Sequence, residues 1–219
     1  MTRFPTFDDA LACFGALPAF DVAAAQAAQD RQNILTKPPG SLGRLEEAAV
    51  FLAGWQGRAT PRLETIQAIV FAGNHGICAQ GVNPFPQGVT ALMVANFDAG
   101  GAAINQLAQT AEADLTVVPI DLETPTKDFT VEPAMSQGET LKAMNLGASS
   151  VAPDADLLIL GEMGIGNSTV AAALAAACFG GTVADWVGPG TGSDADGIAR
   201  KVAAIEAGRG LHSDATGLE

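Results

Sequence analysis

The chain has 219 residues, 48% hydrophobic and 16% charged, with a formal net charge of −13 from 11 basic and 24 acidic side chains. That composition supports a sizeable core and argues against disorder, while the acidic balance disfavours nucleic acid and anionic membranes as partners. No apolar run reaches the ~18–20 residues of a membrane-crossing helix, and Cys13, Cys78 and Cys178, widely spaced and without a CxxC pair, fit a reducing, cytoplasmic setting.

The opening stretch MTRFPTFDDALACFGALPAF carries acidic residues and no long apolar centre, so a secretory signal is not expected. Alanine and glutamine in DVAAAQAAQDRQNI predict a helix over 21–34. LTKPPGSLG stops it, and Ser41 is placed to cap a second helix over 42–56, whose Leu45, Ala48, Ala49 and Leu52 recur at helical spacing. These helices form a small N-terminal helical element, assigned to 1–60, ahead of an α/β domain over 61–219. TIQAIVFA at 65–72 is nearly all apolar, as in a strand covered on both faces, and GNHG follows it as a loop. After the irregular ICAQGVNPFPQGVT, a helix is expected over 90–108, a strand over 114–121 and a helix over 136–150. A third strand over 156–160, a helix over 168–179, the glycine-rich loop ADWVGPGTGSDADG and a last helix over 197–208 complete the pattern. Strands alternating with helices imply βαβ units and an α/β fold with a mainly parallel sheet flanked by helices. Ligands bind such sheets beyond the carboxyl ends of the strands, where GNHG, GEMGIGNST and GPGTG fall or nearly fall.

GEMGIGNST, residues 161–169, matches neither a Walker A loop nor GxGxxG spacing. Two readings stay open for it: a tight β–α turn, and an anion-binding turn whose amides at 167–169 open a helix. Glu162 is out of place near an anion unless it accepts a hydrogen bond from a ligand hydroxyl, an N–H or a neighbouring backbone group. Lys201 lies one helical turn past Gly197 and can point back at GPGTG; the competing reading is a solvated helix lysine. The aspartates of GPGTGSDADG do not make a calcium loop, because Ile205 stands at the twelfth position from Asp194. His75 and Cys78 lack the other half of a zinc site, so a hydrogen-bonded loop histidine is expected and no metal is assigned. In LTKPPGSLGRLE, Lys37 and Arg44 are read as exposed charges flanking a helix start rather than as an anion site.

Taken in order, TKPPGSLGRLEE, FAGNHGI, NPFPQGVT, NFDAGGAAINQLA, EPAM, GEMGIGNST, DWVGPGTG and GIARK resemble nicotinate-nucleotide–dimethylbenzimidazole phosphoribosyltransferases across 35–201. The resemblance implies a Rossmann-like parallel sheet with a small helical domain, and transfer of the 5-phosphoribosyl group from nicotinate mononucleotide to 5,6-dimethylbenzimidazole, without a cofactor, in a homodimer whose site the partner subunit completes. It further implies that Glu162, Gly164 and Ile165 line the nucleotide pocket, and that Gly190 and Lys201 hold the phosphoribosyl group. Phe85 and Gln87 would lie along the benzimidazole pocket. The chain departs from the family in Asn74, where aspartate is common, and in Gly88, where glutamate is usual. The family's general base is a glutamate in a later motif similar to RLGEGTG. No match to that motif occurs before Glu219, so a truncated or shortened homologue is expected, with an uncovered sheet edge, much reduced transfer and Glu162 as the nearest stand-in. The alternative is a nucleotide-binding protein that does not catalyse.

Overall fold

The computed structural model describes residues 4–214. The described chain is of the α/β class and gathers into two compact units, 4–67 with 151–159 and 68–150 with 160–214.

The first unit is built around three helices, α1 (Phe7–Gly15), α2 (Val22–Ile34) and α3 (Arg44–Gln56). Thr6 and Asp9 close a capping box on α1, and the Asp21 carboxylate caps α2 by accepting from Ala24 N at 2.9 Å. Helices α2 and α3 approach closely because the buried residues on their facing sides are small, namely Ala24, Ala25, Ala28 and Ala53. Gly54 leaves room for the Phe20 ring, which meets Trp55 edge-on at 5.5 Å. Ser41 does not cap α3. The helix begins after Gly43 at φ 54°, and the Glu46 carboxylate, one turn in, accepts from Leu42 N at 3.1 Å. Glu46 also takes Lys37 Nζ at 2.7 Å, so Lys37 is already paired. Arg44 is exposed, as expected of a flanking charge.

Three strands, β1 (Ile66–Gly73), β2 (Asp114–Ile120) and β3 (Leu157–Met163), form a parallel sheet in the order β2-β1-β3. Central β1 is covered on both faces, with Ala68, Ile69, Val70 and Ala72 buried, and this is why its sequence runs apolar without alternation. Pro119 is tolerated in β2 because that strand is an edge and needs no full ladder of N–H donors. The other edge, β3, leaves Ile159 and Leu160 exposed.

In the second unit, a 3-10 helix (Gly76–Gln80) follows β1 and leads to α4 (Val89–Asp98) and α5 (Ala103–Thr110). These two replace the single helix expected over 90–108. Gly100 adopts φ 75°, which ends α4, and Asn105 starts α5 by accepting from Ala102 N at 3.1 Å. After β2 come α6 (Gln137–Ser150), then β3, α7 (Asn167–Phe179), α8 (Val183–Trp186) and α9 (Ala195–Leu211). Helix α8 interrupts what the sequence presented as one loop: Thr182 and Asp185 form a capping box around it, and Trp186 Nε1 donates to Gly180 O at 2.8 Å. The GPGTG loop therefore follows a helix, not a strand. Ala172, Ala176, Val183 and Ile205 form one core cluster, and Ile77, Val82 and Ala204 another, with Phe129 packed against both. His212, just past the end of α9, is held to the body of this unit, with its Nε2 2.8 Å from Phe129 O. The last residues of GLHSDATGLE, 215–219, lie outside the described residues. Among those described, no helix is long and apolar enough to cross a membrane.

Candidate functional site

The site lies in the second unit, where β1 and β3 end. Gly161 sits over Val70, with room for no more than a light contact, since a Cβ there would lie 3.3 Å from Val70 Cγ2. At Gly164 a Cβ would collide with Gly73 O and lie 3.1 Å from His75 Nε2. Gly166 adopts φ 91°, and a Cβ on it would approach Cys78 Sγ to 2.9 Å. The glycines thus let the turn 164–166 lie against the GNHG loop and the 3-10 helix. Two bonds fasten it there: Cys78 Sγ donates to Ile165 O at 3.2 Å, and Ile165 N donates to the buried Thr90 hydroxyl at 3.1 Å. Burial pushes the Cys78 thiol up, so it remains protonated and serves as a hydrogen-bond donor.

The third strand runs beyond the span its sequence suggests and includes Glu162. Glu162 is therefore a strand-end residue, exposed, and its Oε1 accepts from Asn167 Nδ2 at 2.6 Å. A side-chain amide thus supplies the N–H that a carboxylate in this place requires. Asn167 Oδ1 in turn accepts from Ser168 N at 2.7 Å, in the first turn of α7. The Ser168 side chain faces the GPGTG loop. A Cβ on Gly190, at φ 55°, would lie 3.2 Å from both Ser168 Oγ and Lys201 Nζ.

Lys201 is 3% exposed, and its Nζ donates to Gly188 O at 3.2 Å. It does point back at the glycine loop, but it is buried rather than solvated. No carboxylate pairs with it among the described residues. Desolvation pushes its ammonium pKa down, as expected of a cation that has lost water without gaining an anion. Lys201 Nζ and Ser168 Oγ, the latter in the first turn of α7, thus both lie close to Gly190, which puts a cation near a helix N-terminus in an otherwise acidic chain.

His75 was not legible as part of this constellation. Its ring, expected to be hydrogen-bonded, has no such partner among the described residues; it lies beside Gly164 instead. Burial lowers its pKa, partly opposed by the Glu162 charge, so the imidazole is neutral near pH 7. Gln87 Nε2 donates to His75 O at 2.7 Å and so holds the GNHG loop. Phe85 stands apart: it is 47% exposed, and its carbonyl accepts from Asn83 Nδ2 at 2.6 Å. Asn74 donates Nδ2 to Leu122 O at 2.8 Å, a bond that an ionised aspartate could not make. Thr90 joins the site through a contact between distant segments, which residue spacing does not reveal, whereas Asn167 reaches Glu162 from only five residues away. No group of three or more His, Cys, Asp or Glu side chains suited to a metal gathers among the described residues.

A family model described as phosphoribosyltransferase matches residues 17–219. The chain belongs to this phosphoribosyltransferase family. It is 62% identical, over 203 residues, to the nicotinate-nucleotide–dimethylbenzimidazole phosphoribosyltransferase of Rhodobacter capsulatus, covering 93% of this chain and 61% of that protein. The enzyme of the same name from Novosphingobium aromaticivorans is 55% identical, with 98% of this chain and 64% of the relative covered. The crystal structure of CobT from Thermus thermophilus matches with a TM-score of 0.74 at 38% identity, covering 84% of this chain and 61% of that one. The chain thus spans about three fifths of the length of the relatives it matches. As a member of the phosphoribosyltransferase family, it carries its buried lysine and glycine turns in a setting shared with a solved relative's fold.

Proposed function

We propose that the second unit binds nicotinate mononucleotide, and that the whole protein transfers its 5-phosphoribosyl group to 5,6-dimethylbenzimidazole, giving α-ribazole 5′-phosphate and nicotinate. The observation that carries this reading is Lys201, a buried cation with no carboxylate partner among the described residues, set beside Gly190 and Ser168. A buried charge is costly unless it is paired. A phosphate placed between Lys201 and the first turn of α7 compensates it, and Gly190 leaves the space that a phosphate oxygen needs.

In the transfer, a benzimidazole ring nitrogen attacks the anomeric carbon. The bond from that carbon to the pyridinium nitrogen breaks, and its electron pair neutralises the ring nitrogen of the leaving nicotinate. The proton on the other benzimidazole nitrogen is lost to a base. Glu162, Gly164 and Ile165 line the nucleotide side, and Glu162 is the carboxylate of this chain nearest to that role. Phe85 and Gln87 border the aromatic acceptor; Phe85 supplies exposed apolar area for a planar ring, and Gln87 acts through the His75 backbone. The family resemblance supports a homodimer, and the three free cysteines support a cytoplasmic location.

Two measurements test the reading. Nicotinate mononucleotide is expected to raise the melting temperature, whereas nicotinate alone is not; no shift at saturating nucleotide would contradict it. Incubation of the protein with both substrates, followed by chromatography for α-ribazole 5′-phosphate, tests the transfer itself.

A further inference from the structure

We propose that Asn167 is a positioning residue that aims Glu162 at a pentose hydroxyl of the ligand, an assignment that rests on the nucleotide reading above. Both ends of its amide are committed. Nδ2 donates to Glu162 Oε1 at 2.6 Å, and Oδ1 accepts from Ser168 N at 2.7 Å. Its own backbone N–H donates to Gly164 O at 3.1 Å, which anchors it to the glycine turn. The amide orientation is fixed by this pattern, because a flipped amide would set oxygen against the carboxylate and NH2 against the Ser168 N–H.

The consequence concerns Glu162. With Oε1 taken, Oε2 has no partner among the described residues, on an exposed side chain at the end of β3. Ser168, whose N–H donates to Asn167, lies beside Gly190, where a Cβ would be 3.2 Å from both Ser168 Oγ and Lys201 Nζ. One side chain is therefore bonded both to a carboxylate whose other oxygen has no hydrogen-bond partner among the described residues and to the residue beside Gly190, near the buried ammonium of Lys201. A pentose 5-phosphate carries the two matching features on one molecule: hydroxyls that donate to a carboxylate, and a dianion for the lysine. Asn167 does not itself touch the ligand in this arrangement. It sets the rotamer of the group that does.

Calorimetric titration of nicotinate mononucleotide into four proteins tests the assignment: wild type, Asn167→Ala, Glu162→Gln and the exchanged pair Glu162→Gln/Asn167→Asp. Inorganic phosphate, followed by amide NMR shifts, probes the lysine side separately. Asn167→Ala is expected to weaken the nucleotide by about tenfold or more while leaving phosphate binding within about twofold. The exchanged pair restores a donor–acceptor bond with reversed polarity, so its melting temperature is expected to return to that of wild type while nucleotide affinity stays as low as in Glu162→Gln. Wild-type affinity in Asn167→Ala would overturn the proposal. So would recovery of nucleotide affinity in the exchanged pair, since Asn167 would then be holding only the fold. Absence of nucleotide binding in the wild type would overturn the nucleotide reading itself.

Discussion

A single methyl group at Gly164 would meet the Gly73 carbonyl, a backbone atom fixed in the central strand. Gly164→Ala is therefore expected to destabilise the protein by about 1–3 kcal/mol, read as a lower urea midpoint, because neither backbone can easily yield. Gly161, which meets only the Val70 side chain at 3.3 Å, is the matched control and is expected to tolerate alanine better. His75 makes a second residue-scale prediction. Its folded pKa lies below the ordinary 6.5, chiefly through burial, so the folded state binds fewer protons than the unfolded chain. Stability is then expected to be flat above about pH 7 and to fall as the pH drops through and below 6.5. Urea unfolding from about pH 8 to about pH 5 measures this, and His75→Gln is expected to flatten that part of the curve. Lys201 is legible in the sequence by its helical turn from Gly197. His75 is not, because its environment is made by Gly164, far along the chain.

At the scale of elements, the place of Lys201 beside Gly190 depends on how α9 is seated. Ile205, one turn beyond Lys201, is fully buried with Ala172, Ala176 and Val183. Ile205→Ala is expected to cost about 2–5 kcal/mol of stability and, by loosening α9 against α7, to weaken anion binding by Lys201. Ile205→Val is expected to cost about 0.5–1.5 kcal/mol. Denaturant midpoints paired with phosphate titrations distinguish the two effects. The strands could be read from sequence because β1 runs apolar throughout and glycine turns punctuate β1 and β3. The start of α3 could not, since Ser41 is a good cap by type while Glu46 takes up Leu42 N. Nor could α8, a four-residue helix whose capping box is too short a pattern to separate from loop. The split between α4 and α5 turns on Gly100 at φ 75°, a backbone angle that glycine permits but does not announce.

For the molecule as a whole, the charge of −13 and the buried ammonium of Lys201 pull in opposite directions. An acidic protein repels anions at long range and must bind one through a local, desolvated contact. Salt is therefore expected to weaken nucleotide binding only modestly at Lys201, which water reaches little. Family membership reinforces the local physics without replacing it: Lys201, Gly190 and Ser168 converge in space whatever the chain is compared with. The most direct test is calorimetric titration of nicotinate mononucleotide into the wild-type protein and Lys201→Met. Methionine fills the same space without charge, so the unliganded variant is expected to melt no lower than wild type while nucleotide binding is lost. Equal affinity in the two proteins would contradict the account, since the buried cation would then have no part in holding the phosphate.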